Sequence, residues 1–449
     1  MTSEEPTVLI IGAGTFGTST GYHLSQQYRD PSRITIIDRW DTKVSLQGKH
    51  AAAIDTNRII RTDYESPLYC NLANEAIHPW FWNIAVQGHF HKTGWVVLDK
   101  KEGGFGDAVR KTFKERGGDY TRDVDVEELR KYDVIKDLKG ENYGKGYFNP
   151  EAGWCDAESA TASFTKVATN NGVKRLTGEV QELLYSHKEA RIEGIRTKDG
   201  RIIKADKVVL AAGAWTSSLL SPVEDSLEID EKGRIERQIT AVGRLSAYYT
   251  LGEQETQAFI DSKMPVVVIG GEVDIIPPSQ PNRTLRINDL KTEVVNTITT
   301  SSGKRITAPY GRHQNDIPEK LRVQSEKVIK NAITGWTKTR TPNRWRICYD
   351  AVTPTEDWLM CQHPNSQLSN LYLAVGGSFH SYKFLPIAGS YMCNILNGKS
   401  NGDERNKAWK WKNEEELKRR QGKEFGDSPR KGERWEISSF EEGSWSSKL

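Results

Sequence analysis

A glycine-rich turn near the N-terminus limits the folds that this sequence can adopt more than any other feature does. The run Gly12-Ala13-Gly14-Thr15-Phe16-Gly17 follows an apolar, β-branched stretch at 7–11 and precedes a helical pattern that extends to residue 28. The first glycine permits a tight turn, the second lets a pyrophosphate approach the backbone, and the third lets the helix pack on the sheet. A second strand at 33–37 ends in Asp38, whose carboxylate can hold ribose hydroxyls. The pattern predicts a Rossmann-type βαβ unit that binds a dinucleotide.

Two later apolar runs, which we predict to be strands, also end in glycine. The apolar run at 207–212 ends in Gly213, and the run at 371–375 ends in Gly376-Gly377, ahead of a helical stretch at 389–396. A domain that binds only NAD would not need a late strand that returns to the cofactor. The three glycine strands together therefore favour FAD as the dinucleotide.

These pieces come from the beginning, middle and end of the chain, so the segments between them are expected to form an inserted second domain. The predicted fold class is α/β, with a glutathione-reductase-like FAD-binding domain built from 1–85, 145–225 and 345–400. An α+β substrate domain is expected at 86–144 and 226–344, and a polar, tryptophan-containing arm at 401–449. A length of 449 residues is consistent with this division, because single hydrophobic cores stop growing at about 250–300 residues.

The balanced charge of the chain favours small molecules as its binding partners. Lys and Arg number 63 and Asp and Glu 60, a net charge of +3, which predicts no broad basic field for nucleic acid or membrane. The five cysteines lack the paired spacing of a zinc site or a disulfide framework, so we expect no metal and a reducing compartment. We find no secretion signal and expect a monomer. The tripeptide Ser447-Lys448-Leu449 predicts recognition by the peroxisomal import receptor and a peroxisomal location.

A family resemblance appears in the segment 346–364. It contains a cysteine, then Thr-Pro, an aromatic residue and His-Pro, here Cys348, Thr353, Pro354, Trp358, His363 and Pro364. This pattern resembles the monomeric sarcosine oxidase family, which includes pipecolate oxidases, saccharopine oxidases and fungal fructosyl amino acid oxidases, or amadoriases. The glycine-rich turn, Arg58-Ile-Ile-Arg61, the segment 376–385 and Ala408-Trp-Lys-Trp411 extend the resemblance over nearly the whole chain.

The resemblance implies particular residue roles. Cys348 would bond through sulfur to the 8α-methyl carbon of the flavin, and the neighbouring Arg344 and Arg346 could favour its thiolate. Arg61 and Lys383 would bind a substrate carboxylate, and Arg58 would lie over the flavin ring. Phe379 and His380 would contact the substrate. The full set of expected cofactor contacts is Gly12, Gly14, Thr15, Phe16, Gly17, Asp38, Arg39, Val180, Gly213, Cys348, Gly377, Ser378, Phe379 and Lys383.

Two positions depart from the family pattern. The family's oxygen-activating lysine lies in a Leu-Lys strand, and the nearest match, Leu285-Arg286-Ile287, has arginine in its place. A fixed positive charge can still stabilise developing negative charge, but arginine does not lose its proton. Lys49 and Lys291 are alternative candidates for this role. Phe379 stands where sarcosine oxidases have glycine, so the pocket is expected to differ in shape.

The implied reaction is removal of hydride from the carbon next to the nitrogen of a secondary amine, an N-substituted amino acid. The products are an imine, which water hydrolyses, and hydrogen peroxide formed from oxygen. An oxidative cyclase, in which ring closure traps the imine of an N-methyl aromatic amino acid, is an alternative. A flavin monooxygenase, an NAD(P)-dependent dehydrogenase and a non-enzymatic flavin-binding protein are other classes, and the Cys348 motif argues against the first two.

Overall fold

A computed structural model describes residues 4–40, 51–310, 314–315, 317–421 and 433–437. Lys49 and Ser447-Lys448-Leu449, both named above, lie outside these residues. The described strands are β1 (Val8–Ile11), β2 (Ile34–Asp38), β3 (Arg58–Ile60), β4 (Phe90–His91), β5 (Trp95–Lys100), β6 (Arg122–Val124), β7 (Tyr143–Asn149), β8 (Gly153–Cys155), β9 (Lys174–Thr177), β10 (Val180–Ser186), β11 (Arg191–Thr197), β12 (Ile202–Lys204), β13 (Lys207–Leu210), β14 (Thr240–Thr250), β15 (Val266–Ile269), β16 (Val273–Ile276), β17 (Thr284–Val295), β18 (Thr297–Thr299), β19 (Arg305–Thr307), β20 (Arg344–Val352), β21 (Leu359–Gln362), β22 (Leu371–Val375) and β23 (Glu433–Glu436).

The α-helices connect and cover these strands. Those described are α1 (Thr15–Ser25), α2 (Pro67–Ile77), α3 (Pro79–Trp82), α4 (Phe105–Arg116), α5 (Val126–Leu129), α6 (Ala157–Asn170), α7 (Thr216–Ser226), α8 (Glu253–Asp261), α9 (Glu319–Ala332), α10 (Ala388–Leu396), α11 (Asp403–Trp409) and α12 (Glu414–Gln421). Among the described residues, no helix combines the length and the hydrophobicity that crossing a membrane requires.

The first large sheet has the strand order β21-β22-β13-β1-β2-β9. Its strands are parallel except for β21, and Leu9 of β1 lies opposite Val208 of β13 and Thr35 of β2. Helix α1 packs against α6 and α10 on one face. The other face packs against the β10-β11-β12 sheet and α7. The glycine-rich turn follows β1 at the carboxyl end of this sheet, where such folds bind nucleotides.

The second large sheet has the order β20-β14-β17-β16-β15-β5-β7-β6, with β23 also pairing with β17. Alternate residues on its strands point to opposite faces. Val96, Val267 and Ile287 lie in an apolar cluster with Ile329 of α9, so that face is closed by a helix. The opposite face lines the cavity described below.

The predicted α/β fold class is confirmed, since helices cover a mainly parallel six-stranded sheet and a second large sheet lies beside it. The sheets do not follow the predicted segment limits at every strand. Strands β7 and β20, which fall largely within 145–225 and 345–400, pair with β5 and β14 in the second large sheet. Within the polar arm, β23 pairs in parallel with β17.

Candidate active site

A cavity of about 740 Å³ runs from the glycine-rich turn to the open face of the second large sheet. Its size lies within the range of about 300–1,000 Å³ typical of ligand sites. The expected site residues that line it are Gly12, Gly14, Thr15, Phe16, Asp38, Arg39, Arg58, Arg61, Val180, Gly213, Arg286, Cys348, Gly377, Phe379, His380 and Lys383. Residues from distant parts of the sequence therefore converge on one continuous space.

The turn between β1 and α1 is shaped for a phosphate. Gly12 has a φ of +106°, and a Cβ there would overlap the carbonyl oxygen of Ala211, so only glycine fits. A Cβ at Gly14 would meet no atom within 4 Å, which leaves the backbone open to a ligand. No side chain caps the N-terminus of α1, so its first amides and its dipole are available to an anion.

Asp38 ends β2 beside this turn. Its Oδ2 accepts a hydrogen bond from the Ala13 amide at 2.6 Å, which holds the carboxylate at the cavity wall. Arg39 stacks on the ring of Trp215 at 4.2 Å and lines the same region. An uncapped helix N-terminus, an open glycine backbone and an adjacent carboxylate are the features that an adenine dinucleotide requires, so these residues fit FAD.

Two residues expected to touch the cofactor do not line the cavity. Gly17 lies behind the turn, where a Cβ would overlap the carbonyl oxygen of Gly12, so its role is to let α1 pack closely. Ser378 is buried, and its Oγ donates to the Gly376 carbonyl and accepts from the Thr353 amide, both at 3.3 Å. The next residue, Phe379, has a φ of +60° and donates its amide to Asp350 at 2.8 Å.

A buried carboxylate, Asp55, organises the cations at the centre of the cavity. Arg58 and Arg286 approach its Oδ2 at 2.8 and 3.0 Å, and Arg346 lies at 3.6 Å. Tyr248 donates its hydroxyl to Oδ1 at 2.8 Å. Burial acts to raise the pKa of Asp55, but the three guanidinium groups and this hydroxyl hold that pKa well below its usual range. Asp55 is therefore ionised and fixes the cations in place.

Cys348 lies in this cation cluster. Its side chain is buried, lines the cavity and accepts a hydrogen bond from Nη2 of Arg58, with an N–S distance of 3.1 Å. The sulfur atom is therefore in direct contact with a largely buried guanidinium group. Arg286 is held by the Asn57 carbonyl at 2.8 Å and by Oγ of Ser246 at 3.0 Å, so its position is fixed on both sides.

The two cations expected to bind a carboxylate meet at one tyrosine. Arg61 lies 4.7 Å from the ring centroids of both Tyr64 and Trp95. Lys383, in a short 3₁₀ turn, donates its Nζ to the Tyr64 hydroxyl at 2.8 Å and to the His380 carbonyl. Both cations are more than nine-tenths buried, and both line the cavity. Lys291, an alternative candidate for the oxygen site, also lines the cavity.

Among the polar residues of this site that the sequence interpretation missed are Asp55, Ser246, Asp274 and Asn288. A signal existed for two of them. Asp55 lies three residues before the segment Arg58-Ile-Ile-Arg61, which carries part of the family resemblance. Asp274 interrupts the apolar strand β16. Nothing in the sequence distinguishes Ser246 or Asn288 from other polar residues on strands.

A dinucleotide site that opens into a cavity lined by buried cations and a cysteine is typical of a flavin-dependent oxidoreductase. The chain belongs to the family of FAD dependent oxidoreductases named DAO, whose family model matches residues 7–395. FAD dependence and the oxidoreductase class are thereby established.

The resemblance noted in the sequence is also confirmed. The chain is 23% identical over 431 residues to L-saccharopine oxidase of Schizosaccharomyces pombe, covering 92% of this chain and 94% of that protein. It is 26% identical over 413 residues to monomeric sarcosine oxidase of Bacillus sp., covering 88% and 93%. The crystal structure of Amadoriase I from Aspergillus fumigatus matches with a TM-score of 0.80 at 24% identity, covering 99% and 98%, a likeness that establishes the fold.

Proposed function

We propose that this protein oxidises secondary amines that carry a carboxylate, namely N-substituted amino acids, at the carbon–nitrogen bond. Bound FAD supplies the chemistry, accepting hydride from the carbon next to nitrogen and passing electrons to dioxygen to give hydrogen peroxide. The imine product is released for hydrolysis. The names of the relatives, L-saccharopine oxidase and monomeric sarcosine oxidase, support this substrate class.

The observation that carries the proposal is the meeting of Arg61 and Lys383 at the ring of Tyr64. A guanidinium fork and an ammonium that face one space match the two oxygens of a carboxylate. Charge-assisted hydrogen bonds of this kind are strong in a water-poor cavity. The pair would bind the carboxylate of an amino acid and hold its nitrogen at a constant position.

The protein's own contribution is orientation and exclusion of water. Tyr64 and the His380 carbonyl hold the ammonium of Lys383, and Trp95 covers one side of Arg61. A substrate fixed at its carboxylate presents one carbon–nitrogen bond to the cavity centre. Holding the reacting bond in a fixed position and orientation accelerates the reaction. The amine must be neutral there, since an ammonium has no lone pair to assist departure of hydride.

We also propose that Cys348 carries the flavin through a sulfur–carbon bond. Two observations support it: the sulfur lines the cavity, and Arg58 donates to it. Asp55 keeps Arg58 in this position by an ion pair at 2.8 Å. Attachment requires the sulfur to reach the flavin as a nucleophile, and these contacts hold it at the cavity wall beside a fixed cation.

The substrate class is tested by mixing the purified flavoprotein anaerobically with amino acids that bear N-methyl, N-fructosyl, cyclic or glutaryl substituents. We expect at least one secondary amine to bleach the flavin absorbance, and its primary amino acid counterpart to bleach it far more slowly. NAD(P)H is the control and should leave the flavin oxidised. Rapid bleaching by NAD(P)H, with none by any amine, would contradict the proposal.

A further inference from the structure

A row of side chains crosses the cavity face of the second large sheet. The strand register places Ser246 opposite Asn288, Asn288 opposite Asp274, Asp274 opposite Val268, and Val268 opposite Val97. Residues directly opposite one another share a face, and all five line the cavity. The row is polar up to Asp274 and apolar beyond it.

Asp274 is held rigidly by one of its oxygens. Arg286 donates to Oγ of Ser246 at 3.0 Å, and Ser246 donates to Oδ1 of Asn288 at 2.6 Å. This leaves the Asn288 amide nitrogen to donate to Oδ1 of Asp274. The chain of hydrogen bonds therefore sets the orientation of the carboxyl group.

The second oxygen has no such partner. Asp274 is 7% exposed, and among the residues that the structure describes none donates a hydrogen bond to its Oδ2. Ile276 and Val268 line the cavity beside it. Ionising this largely buried carboxyl group is costly, because burial raises the pKa of Asp274 although Arg286 opposes this. A donor supplied by a ligand would remove that cost.

The position of Asp274 relative to the carboxylate site suggests which part of the substrate it faces. Trp95, whose ring contacts Arg61, lies on β5, and β16 is separated from β5 by β15. Two strand spacings amount to about 10 Å. In an N-substituted glycine, which has no side chain on Cα, the group that extends from the carboxylate site toward Asp274 is the substituent on nitrogen.

We propose that Asp274 is the specificity-determining residue for the N-substituent, accepting a hydrogen bond from a hydroxyl or ammonium group that the substituent carries. The substrate class is thereby amino acids with a polar, donor-bearing N-substituent. This inference rests on the proposed function. It assigns Asn288 and Ser246 as positioning residues for Asp274.

The test compares two ligands that differ only in the donor. N-(2-hydroxyethyl)glycine and N-propylglycine have substituents of equal length. For each, the dissociation constant is obtained from the concentration dependence of anaerobic flavin bleaching, separately from the limiting rate. We expect the wild-type enzyme to bind the hydroxyethyl compound roughly ten-fold or more tightly, as for a hydrogen bond to a charged group. N-(2-aminoethyl)glycine distinguishes an ammonium donor from a hydroxyl.

Asp274→Leu should abolish this preference, and Asp274→Asn, which keeps the shape and one acceptor oxygen, should reduce it. If the leucine variant fails to fold, the asparagine variant provides the test. It should weaken binding of the aminoethyl compound more than binding of the hydroxyethyl compound. Glu272→Gln is the matched control. It removes a negative charge two residues away that pairs with Lys100 at 2.7 Å, and it should keep the wild-type preference.

An unchanged preference in the Asp274 variants, or tighter binding of N-propylglycine by the wild-type enzyme, would overturn the inference. A shifted absorbance maximum of the resting flavin in Asp274→Asn, with the ligand preference intact, would also overturn it by assigning the carboxyl group to the cofactor. Failure of the proposed function looks different, because then no secondary amine bleaches the flavin at all.

Discussion

Arg58 and Cys348, 290 positions apart in the sequence, are joined by a hydrogen bond of 3.1 Å from Nη2 to Sγ. The same guanidinium forms an ion pair with Asp55 at 2.8 Å, so one buried carboxylate positions the cation that the sulfur contacts. Burial acts to lower the pKa of Arg58, and its neighbours Cys348 and Asp55 raise that pKa above its usual range. The guanidinium is thus permanently charged beside the thiol.

Cys348→Ala should abolish covalent retention of the flavin. After acid precipitation, the yellow colour should stay with the wild-type protein and appear in the supernatant of the variant. Cys393→Ala is a suitable control because that thiol is buried in the packing of α10, away from the cavity. Free release of FAD by the wild-type protein would show that no covalent bond exists.

Arg61→Met and Lys383→Met should each weaken substrate binding by about 2–3 kcal/mol, the value of a charge-assisted hydrogen bond, which corresponds to a KM increase of roughly 30–150-fold. The measurement pairs each amino acid substrate with the amine that lacks its carboxylate. For the amine that lacks the carboxylate, either substitution should raise KM much less. An equal increase in KM for the two ligands would show that Arg61 and Lys383 do not bind the carboxylate.

Arg286→Met should slow the reaction of the reduced enzyme with oxygen by about 10²–10³, the cost of removing one preorganised charge-stabilising group. Anaerobic reduction by amine should change far less, because it develops no comparable negative charge. Arg286→Lys should retain most of the oxygen rate. Stopped-flow measurement of the two half-reactions separates the effects, and an unchanged oxygen rate in the methionine variant would move the role to Lys291, Lys49 or Arg58.

Glu224 is expected to make stability depend on pH. Burial raises the pKa of this carboxyl to about 8, and burial lowers the pKa of the adjacent His363, 3.7 Å away, to about 4. Both groups are therefore neutral in the folded protein at pH 7. Since the carboxyl of an unfolded glutamate has a pKa near 4.5, Glu224 holds a proton in the folded chain that it lacks in the unfolded chain between about pH 4.5 and 8.

Stability should consequently fall as the pH rises from about 6.5 to 8, a window above the ordinary histidine pKa in which Glu224 alone of the two contributes. The slope is at most about 1.4 kcal/mol per pH unit. In Glu224→Gln, which keeps an acceptor for the Ile235 amide, the melting temperature should change less over this window. A variant whose melting temperature has the same pH slope as the wild-type protein would contradict this assignment.

Much of the molecule was accessible from the sequence because its motifs act locally. The turn at 12–17 needs glycine where φ is positive and where a Cβ would overlap backbone, so residue type and spacing reveal the conformation directly. The segment around Cys348 is recognisable for a similar reason, since its residues keep a fixed spacing along one stretch of chain. Together with the two later strands that end in glycine, these features predicted the fold class, the cofactor and the family.

The polar centre of the cavity was decided by tertiary structure alone. Arg286 was expected near the reaction site, but its ion pair with Asp55 and its link through Ser246 to Asn288 depend on which strands are neighbours and in what register. A one-residue shift in register would turn these side chains to the opposite face. Asp274 likewise becomes a recognition residue only because β15 and β16 place it between the polar and apolar parts of one row. The contacts of Arg286 with Asp55 and Ser246 join residues far apart in sequence, so no local pattern encodes them.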